Sequence, residues 1–160
     1  MPANAPYYVL GPIPADTGAG YDHITAAIGA ASSARFGADL ICYITPAEHL
    51  VLPNAQDVAE GVRATRLAAR IGDLSKYPES RETEKTAAIS RRDMQWNRLE
   101  EMLMFPDTAR RIRCSRQPAK ETSCTMCGEF CAMQKGRAVF ADAIGGDKAS
   151  FPETGKGDSG

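Results

Sequence analysis

Between Tyr7 and Thr45 the chain reads strand, helix, strand, and that order limits what it can fold into. Tyr7-Tyr8-Val9-Leu10 is short, aromatic and β-branched, and Gly11-Pro12 ends it, so it reads as a buried strand. Gly, Pro and Asp fill the loop from Gly11 to Gly20. Asp22-His23-Ile24-Thr25 then opens a helix through Ala26, Ala27, Ile28, Ala30, Ala31 and Ala34. Residues this small let a neighbouring layer come close, and Gly37 is placed to stop the helix. Leu40-Ile41-Cys42-Tyr43-Ile44-Thr45 is apolar almost throughout, the pattern of a strand covered on both faces in a parallel sheet. The result is one βαβ unit. Parallel sheets place ligand-binding groups at the carboxyl ends of their strands, here Gly11 to Gly20 and Pro46-Ala47-Glu48-His49. Two strands cannot close such a sheet alone. The expectation is a chain that completes its sheet with another polypeptide, or the tail of a longer protein.

After Pro53 the pattern turns helical. Asn54 can cap a helix, with Asp57 three residues on as its capping-box partner, and that helix runs to about Leu74. Lys76 to Glu84 is polar and carries Pro78, so it reads as a connection. A second helix from Lys85 to Phe105 would place Ile89, Trp96, Leu99 and Leu103 on one stripe, with Trp96 in the core. Pro106-Asp107 starts a short third helix through Ile112. From Gly145 onward apolar residues are sparse, which predicts a disordered tail. The expected division is a sheet-bearing part over residues 1–53, a helical segment over 54–115, a thiol loop over 116–140 and the tail over 141–160.

Cys124-Thr-Met-Cys127-Gly-Glu-Phe-Cys131 sets three thiols within eight residues, with a glycine that lets the loop fold back. That crowding suits one soft metal centre, and three ligands would leave a four-iron cluster with one iron free to bind something else. Two other readings stay open on the residues alone. One is a structural zinc site with Cys114 as fourth ligand, and the other is a disulfide pair with a spare thiol.

Charge and length narrow the partners. A net charge of -1 over 160 residues gives no electrostatic case for nucleic acid or an anionic membrane. No apolar run approaches the roughly 20 residues that cross a bilayer. The free-thiol pattern points to a reducing cytoplasm.

Four motifs in order carry a resemblance. They are Pro6-Tyr7-Tyr8-Val9-Leu10-Gly11-Pro12, Gly20-Tyr21-Asp22-His23-Ile24-Thr25, Cys42-Tyr43-Ile44-Thr45-Pro46-Ala47-Glu48-His49-Leu50, and Cys124 to Met133. Over roughly Ala5 to Met133 the chain resembles the C-terminal third of the phosphomethylpyrimidine synthase (ThiC) family of thiamine biosynthesis. The resemblance implies an α/β fold: the last βα units of a (β/α)8 barrel, a helical appendage and a cysteine-rich cluster loop. It implies S-adenosylmethionine radical chemistry that turns 5-aminoimidazole ribonucleotide into hydroxymethylpyrimidine phosphate, with loss of carbon monoxide and formate. Homodimers are implied too, one subunit's cluster region serving the other's barrel.

Residue by residue, Cys124, Cys127 and Cys131 are similar to the three ligands of the family's 4Fe-4S cluster, whose free iron takes the amino and carboxylate groups of S-adenosylmethionine. His49, in Pro-x-Glu-His-Leu, resembles one of two histidines that hold an additional zinc. Tyr8 resembles a tyrosine that contacts the ribonucleotide substrate. Asp22 and His23 lie in a family motif that assigns them no ligand role; a supporting or capping place suits them equally.

Two departures stand out. The family's usual thiol spacing is C-x2-C-x4-C, and here it is C-x2-C-x3-C, which points to a divergent branch. The runner-up reaction is accordingly that of the anaerobic paralogues, which make 5-hydroxybenzimidazole from the same ribonucleotide. Second, a barrel needs about 250 residues, and its first six or so strands, with the other metal histidine, have no counterpart here. The chain is therefore expected to need a complementing barrel polypeptide for turnover. A non-catalytic zinc-binding helical module is the reading from another class.

Overall fold

The computed structural model describes residues 4–116, 125–127, 130–133 and 135–136. Two compact units divide the chain, one ending at Lys85 and the other beginning at Thr86. The expected tail over 141–160 lies outside the described residues.

In the first unit β1 (Tyr8–Val9) and β2 (Leu40–Ile41) pair in parallel, Tyr8 opposite Leu40 and Val9 opposite Ile41. The crossover between them is α1 (Asp22–Arg35), so the βαβ unit is present as its sequence requires. Gly37, at φ +114°, ends the helix: its N–H donates to the Ala34 carbonyl, and the Ala38 N–H donates to that of Ser33. That pair of bonds is a Schellman closure, which needs a residue tolerant of positive φ.

α2 (Ala55–Lys76) starts where its cap predicts. The Asn54 side chain accepts from the Gln56 and Asp57 N–H groups, and the Asp57 carboxylate accepts from Asn54 N–H at 2.9 Å. Such a cap stabilises a helix by about 1 kcal/mol.

Close approach between α1 and α2 is what the small residues provide. Ala26, Ala30 and Ala34 are buried at four-residue intervals along α1, and Ala68 is buried on α2. Gly72 lies so near Ala34 that a Cβ there would stand 2.3 Å from the Ala34 methyl. At Gly61 a Cβ would stand 2.2 Å from the carbonyl oxygen of Ile44, just past β2. Lys76 adds a fixed point by donating to the Ala38 carbonyl at 2.6 Å.

The strands depart from expectation. They are short, and neither is buried: Tyr8 is 52% exposed and Leu40 57%, while Val9 and Ile41 are half-buried. The reason is coverage. Helices pack on one face of this pair, and among the described residues nothing covers the other, where Tyr8 and Leu40 point outward.

The region past Lys76 also differs. Lys76 to Glu84 is not a connection, because α3 (Pro78–Arg92) begins at once after Tyr77. Proline suits a first helical position, where its missing N–H costs nothing. Arg70 of α2 then holds the new helix, donating to the Ser80 hydroxyl and carbonyl and to the Glu84 carboxylate at 3.0 Å.

The long helix expected from Lys85 to Phe105 is broken. α3 stops at Arg92 and α4 (Trp96–Glu100) begins after a turn. Met94 sits at φ +55°, its N–H donating to the Arg91 carbonyl while Gln95 N–H reaches Ser90 at 2.9 Å. This is a second Schellman closure, with a buried methionine where glycine is usual. The expected stripe is split accordingly: Leu99 is buried, Trp96 half-buried and Ile89 38% exposed. α5 (Pro106–Cys114) follows, close to its expected span. Among the described residues no helix is long and apolar enough to cross a membrane.

Candidate functional site

Because β1 and β2 are parallel, their carboxyl ends open on the same side, and two loops with chemistry lie there. One runs from Leu10 to the start of α1 and the other from Thr45 to Asn54. Tyr8 and Cys42 share a sheet face, since Tyr8 pairs with Leu40 and side chains alternate along a strand. The two side chains interact. The hydrogen bond to Cys42 holds the Tyr8 phenol above its ordinary pKa, with lost hydration and the Cys42 charge adding to it.

Sequence reasoning named Tyr8 but treated Cys42 only as a strand residue. The signal for it was register: with the strands aligned, Cys42 is the next residue on the face that carries Tyr8.

The sign follows from the direction. A raised folded-state pKa means the neutral phenol is favoured, so its contribution is present below the ordinary value of about 10. It is lost as pH rises through the raised value. In a spectrophotometric titration, the component removed by Tyr8→Phe should ionise later than an ordinary tyrosine. In Cys42→Ala that component should move back toward the ordinary value; an unmoved component rules the contact out.

His49 occupies the loop after β2. The turn is fixed by Glu48 N–H to the Thr45 carbonyl and by Leu50 and Val51 N–H to that of Ala47. His49 itself has φ +58°, a left-handed conformation that throws its imidazole outward, where the side chain is 84% exposed. Glu48 lies 3.9 Å from Nε2. An exposed imidazole at a strand's carboxyl end can reach a metal whose other ligands come from elsewhere. Among the described residues no three His, Cys, Asp or Glu side chains converge to hold one.

Asp22 and His23, in the first turn of α1, are both buried. The His23 Nδ1 has no hydrogen-bond partner among the described residues.

The thiols belong to the second unit. Cys124 lies outside the described residues. Cys127 and Cys131 are free thiols, the first exposed and the second 6% exposed. Phe130 N–H donates to the Cys127 carbonyl at 3.0 Å, and Lys135 N–H donates to that of Cys131. Two free thiols four residues apart offer the donor chemistry that suits a soft metal centre. Cys114, at the end of α5, is exposed.

Comparison with known proteins places the chain in a family. Residues 1–138 match the radical SAM ThiC family. The chain is 68% identical over 148 residues to the 5-hydroxybenzimidazole synthase of Desulforapulum autotrophicum, covering 92% of this chain and 34% of that protein. It is 58% identical over 149 residues to the 5-hydroxybenzimidazole synthase of Geobacter sulfurreducens, with the same coverage. To the phosphomethylpyrimidine synthase of Clostridium novyi it is 49% identical over 138 residues, 86% of this chain and 32% of the other. The chain thus spans about a third of the length of the curated relatives it matches.

Proposed function

We propose, from the fact that this chain belongs to the radical SAM ThiC family, that it is the cluster-bearing C-terminal part of an enzyme forming 5-hydroxybenzimidazole from 5-aminoimidazole ribonucleotide. The observation that carries the choice of product is the gap in identity. Four 5-hydroxybenzimidazole synthases stand at 54% or more, whereas the phosphomethylpyrimidine synthases stand at 46–49%. The shortened thiol spacing supports the same branch. Formation of hydroxymethylpyrimidine phosphate for thiamine is the second reading, supported by 46–49% identity to phosphomethylpyrimidine synthases over 84–86% of this chain.

The family uses S-adenosylmethionine and a 4Fe-4S cluster, and the residues of this chain suit them. Cys127 and Cys131, with Cys124, would hold the cluster, which when bound supplies the electron that cleaves the sulfonium. The Tyr8 phenol, its hydrogen engaged by Cys42, can accept a hydrogen bond from the ribonucleotide. Exposed His49 suits one ligand of a zinc completed by a residue elsewhere in the enzyme. The uncovered sheet face would line the interior of a (β/α)8 barrel whose remaining strands pair at the edges of β1 and β2, supplied by a complementing chain or by a longer form of this one. A homodimer sharing cluster and barrel between subunits fits the separation of the chain into two units.

The test is the product. The complete enzyme, reduced anaerobically with S-adenosylmethionine and the ribonucleotide, should yield 5-hydroxybenzimidazole, which carries no phosphate. Hydroxymethylpyrimidine phosphate as the main product would overturn the choice of branch, and neither product would overturn the reading as a whole.

A further inference from the structure

The second unit holds a cavity of about 750 Å³ between the end of α3, α4 and α5. Its walls combine two kinds of surface. Leu99, Leu103, Ala109 and Ile112 make an apolar floor, with Trp96 beside it. Arg91, Arg110, Arg113 and Arg116 surround that floor, with Glu100 as the one carboxylate among the lining residues. The whole chain is close to neutral, at -1, so this is a local concentration of positive charge.

The arginines are not alike. Arg110 is held by Glu100 and Asp107, an arrangement that fixes its position and raises its pKa. Arg113 lies over the Trp96 ring, 4.5 Å from its centre. The guanidinium groups of Arg91 and Arg116 have no ion-pair partner among the described residues, and both are exposed. The buried Trp96 indole N–H has no acceptor among the described residues.

We propose that this cavity binds a nucleotide-class organic phosphate. Its size falls in the range of small-molecule sites, about 300–1,000 Å³, and a bare inorganic anion would leave most of it empty. The apolar floor and the tryptophan–guanidinium stack suit a flat heterocycle. The guanidinium groups of Arg91 and Arg116, without ion-pair partners among the described residues, suit a phosphate, which arginine meets with paired donors. The cavity lies wholly in the helical unit, and neither Tyr8 nor His49 is among its lining residues. The proposal therefore stands whichever product the enzyme makes.

Trp96 is the chain's one tryptophan, so its fluorescence reads this cavity directly. Adenosine 5′-monophosphate added to the full chain should change that emission saturably, with adenosine and inorganic phosphate each much weaker. The double variant Arg91→Gln/Arg116→Gln should raise the half-saturating concentration at least about tenfold, the loss expected for two charge-assisted contacts. Should it lose helicity, Arg116→Gln alone at the end of α5 carries the test. No saturable change, or an unaltered curve in the variant, overturns the proposal. An equal response to adenosine overturns the phosphate assignment, and an equal response to inorganic phosphate overturns the nucleotide one.

Discussion

Serine in place of Cys127 or Cys131 should remove the iron and sulfide that the protein takes up on anaerobic reconstitution, from about four irons per chain to almost none. If the cluster supplies the electron that splits the sulfonium, as proposed, S-adenosylmethionine cleavage by the complete enzyme should fall by at least about a thousandfold. The substitution is sterically mild. It exchanges a soft sulfur for a hard, weakly acidic oxygen, at an exposed position in one case and a buried one in the other. Cys114→Ser and Cys42→Ser should leave iron content unchanged, because neither thiol belongs to the clustered run. A single tightly held zinc instead, lost in Cys114→Ser, would replace the cluster with a structural zinc site. Iron content and visible absorption decide between them without any assay of turnover.

Alanine at Gly61 should destabilise the sheet-bearing unit by about 3 kcal/mol, the upper part of the range for overpacking. The added methyl would stand 2.2 Å from the Ile44 oxygen and 3.0 Å from its carbonyl carbon, and backbone cannot swing aside as a side-chain end can. To make room, α2 must lift away from β2, which also loosens its seat against α1. Gly37→Ala is the instructive contrast. Nothing lies within 4 Å of a Cβ there, so its cost comes from φ +114° alone and should be about 1 kcal/mol. Thermal unfolding followed by circular dichroism should show Gly61→Ala lowering the midpoint of this unit by roughly 12–24 °C and Gly37→Ala by a third of that. Equal shifts would mean that α2 does not rest on the strand as closely as the structure has it.

Local chemistry was legible in the residues, and long-range context was not. Asn54 and Asp57 announced the start of α2, Gly37 announced the end of α1, and the alanines of α1 announced a close neighbour, because each signal acts within one turn or one face. The break at Met94 was not announced. Leu99 and Leu103 keep helical spacing with Ile89, and the left-handed turn that interrupts them uses a residue with no preference for it. Pro78 misled for the opposite reason, being a breaker by reputation and a good first residue in fact. For the site, the motifs named Tyr8, His49 and the thiols, but only strand register put Cys42 beside Tyr8. The arginine-lined cavity was invisible, since its walls come from three helices whose angles no local pattern encodes.

The outward-facing side chains of β1 and β2 carry a thermodynamic corollary. A polypeptide that covered Tyr8 and Leu40 would bind the folded form and not the unfolded one, so mass action would tie this unit's resistance to heat to the concentration of that cover. A melting midpoint recorded on the chain alone is then a lower bound, and it should climb with each increment of cover added.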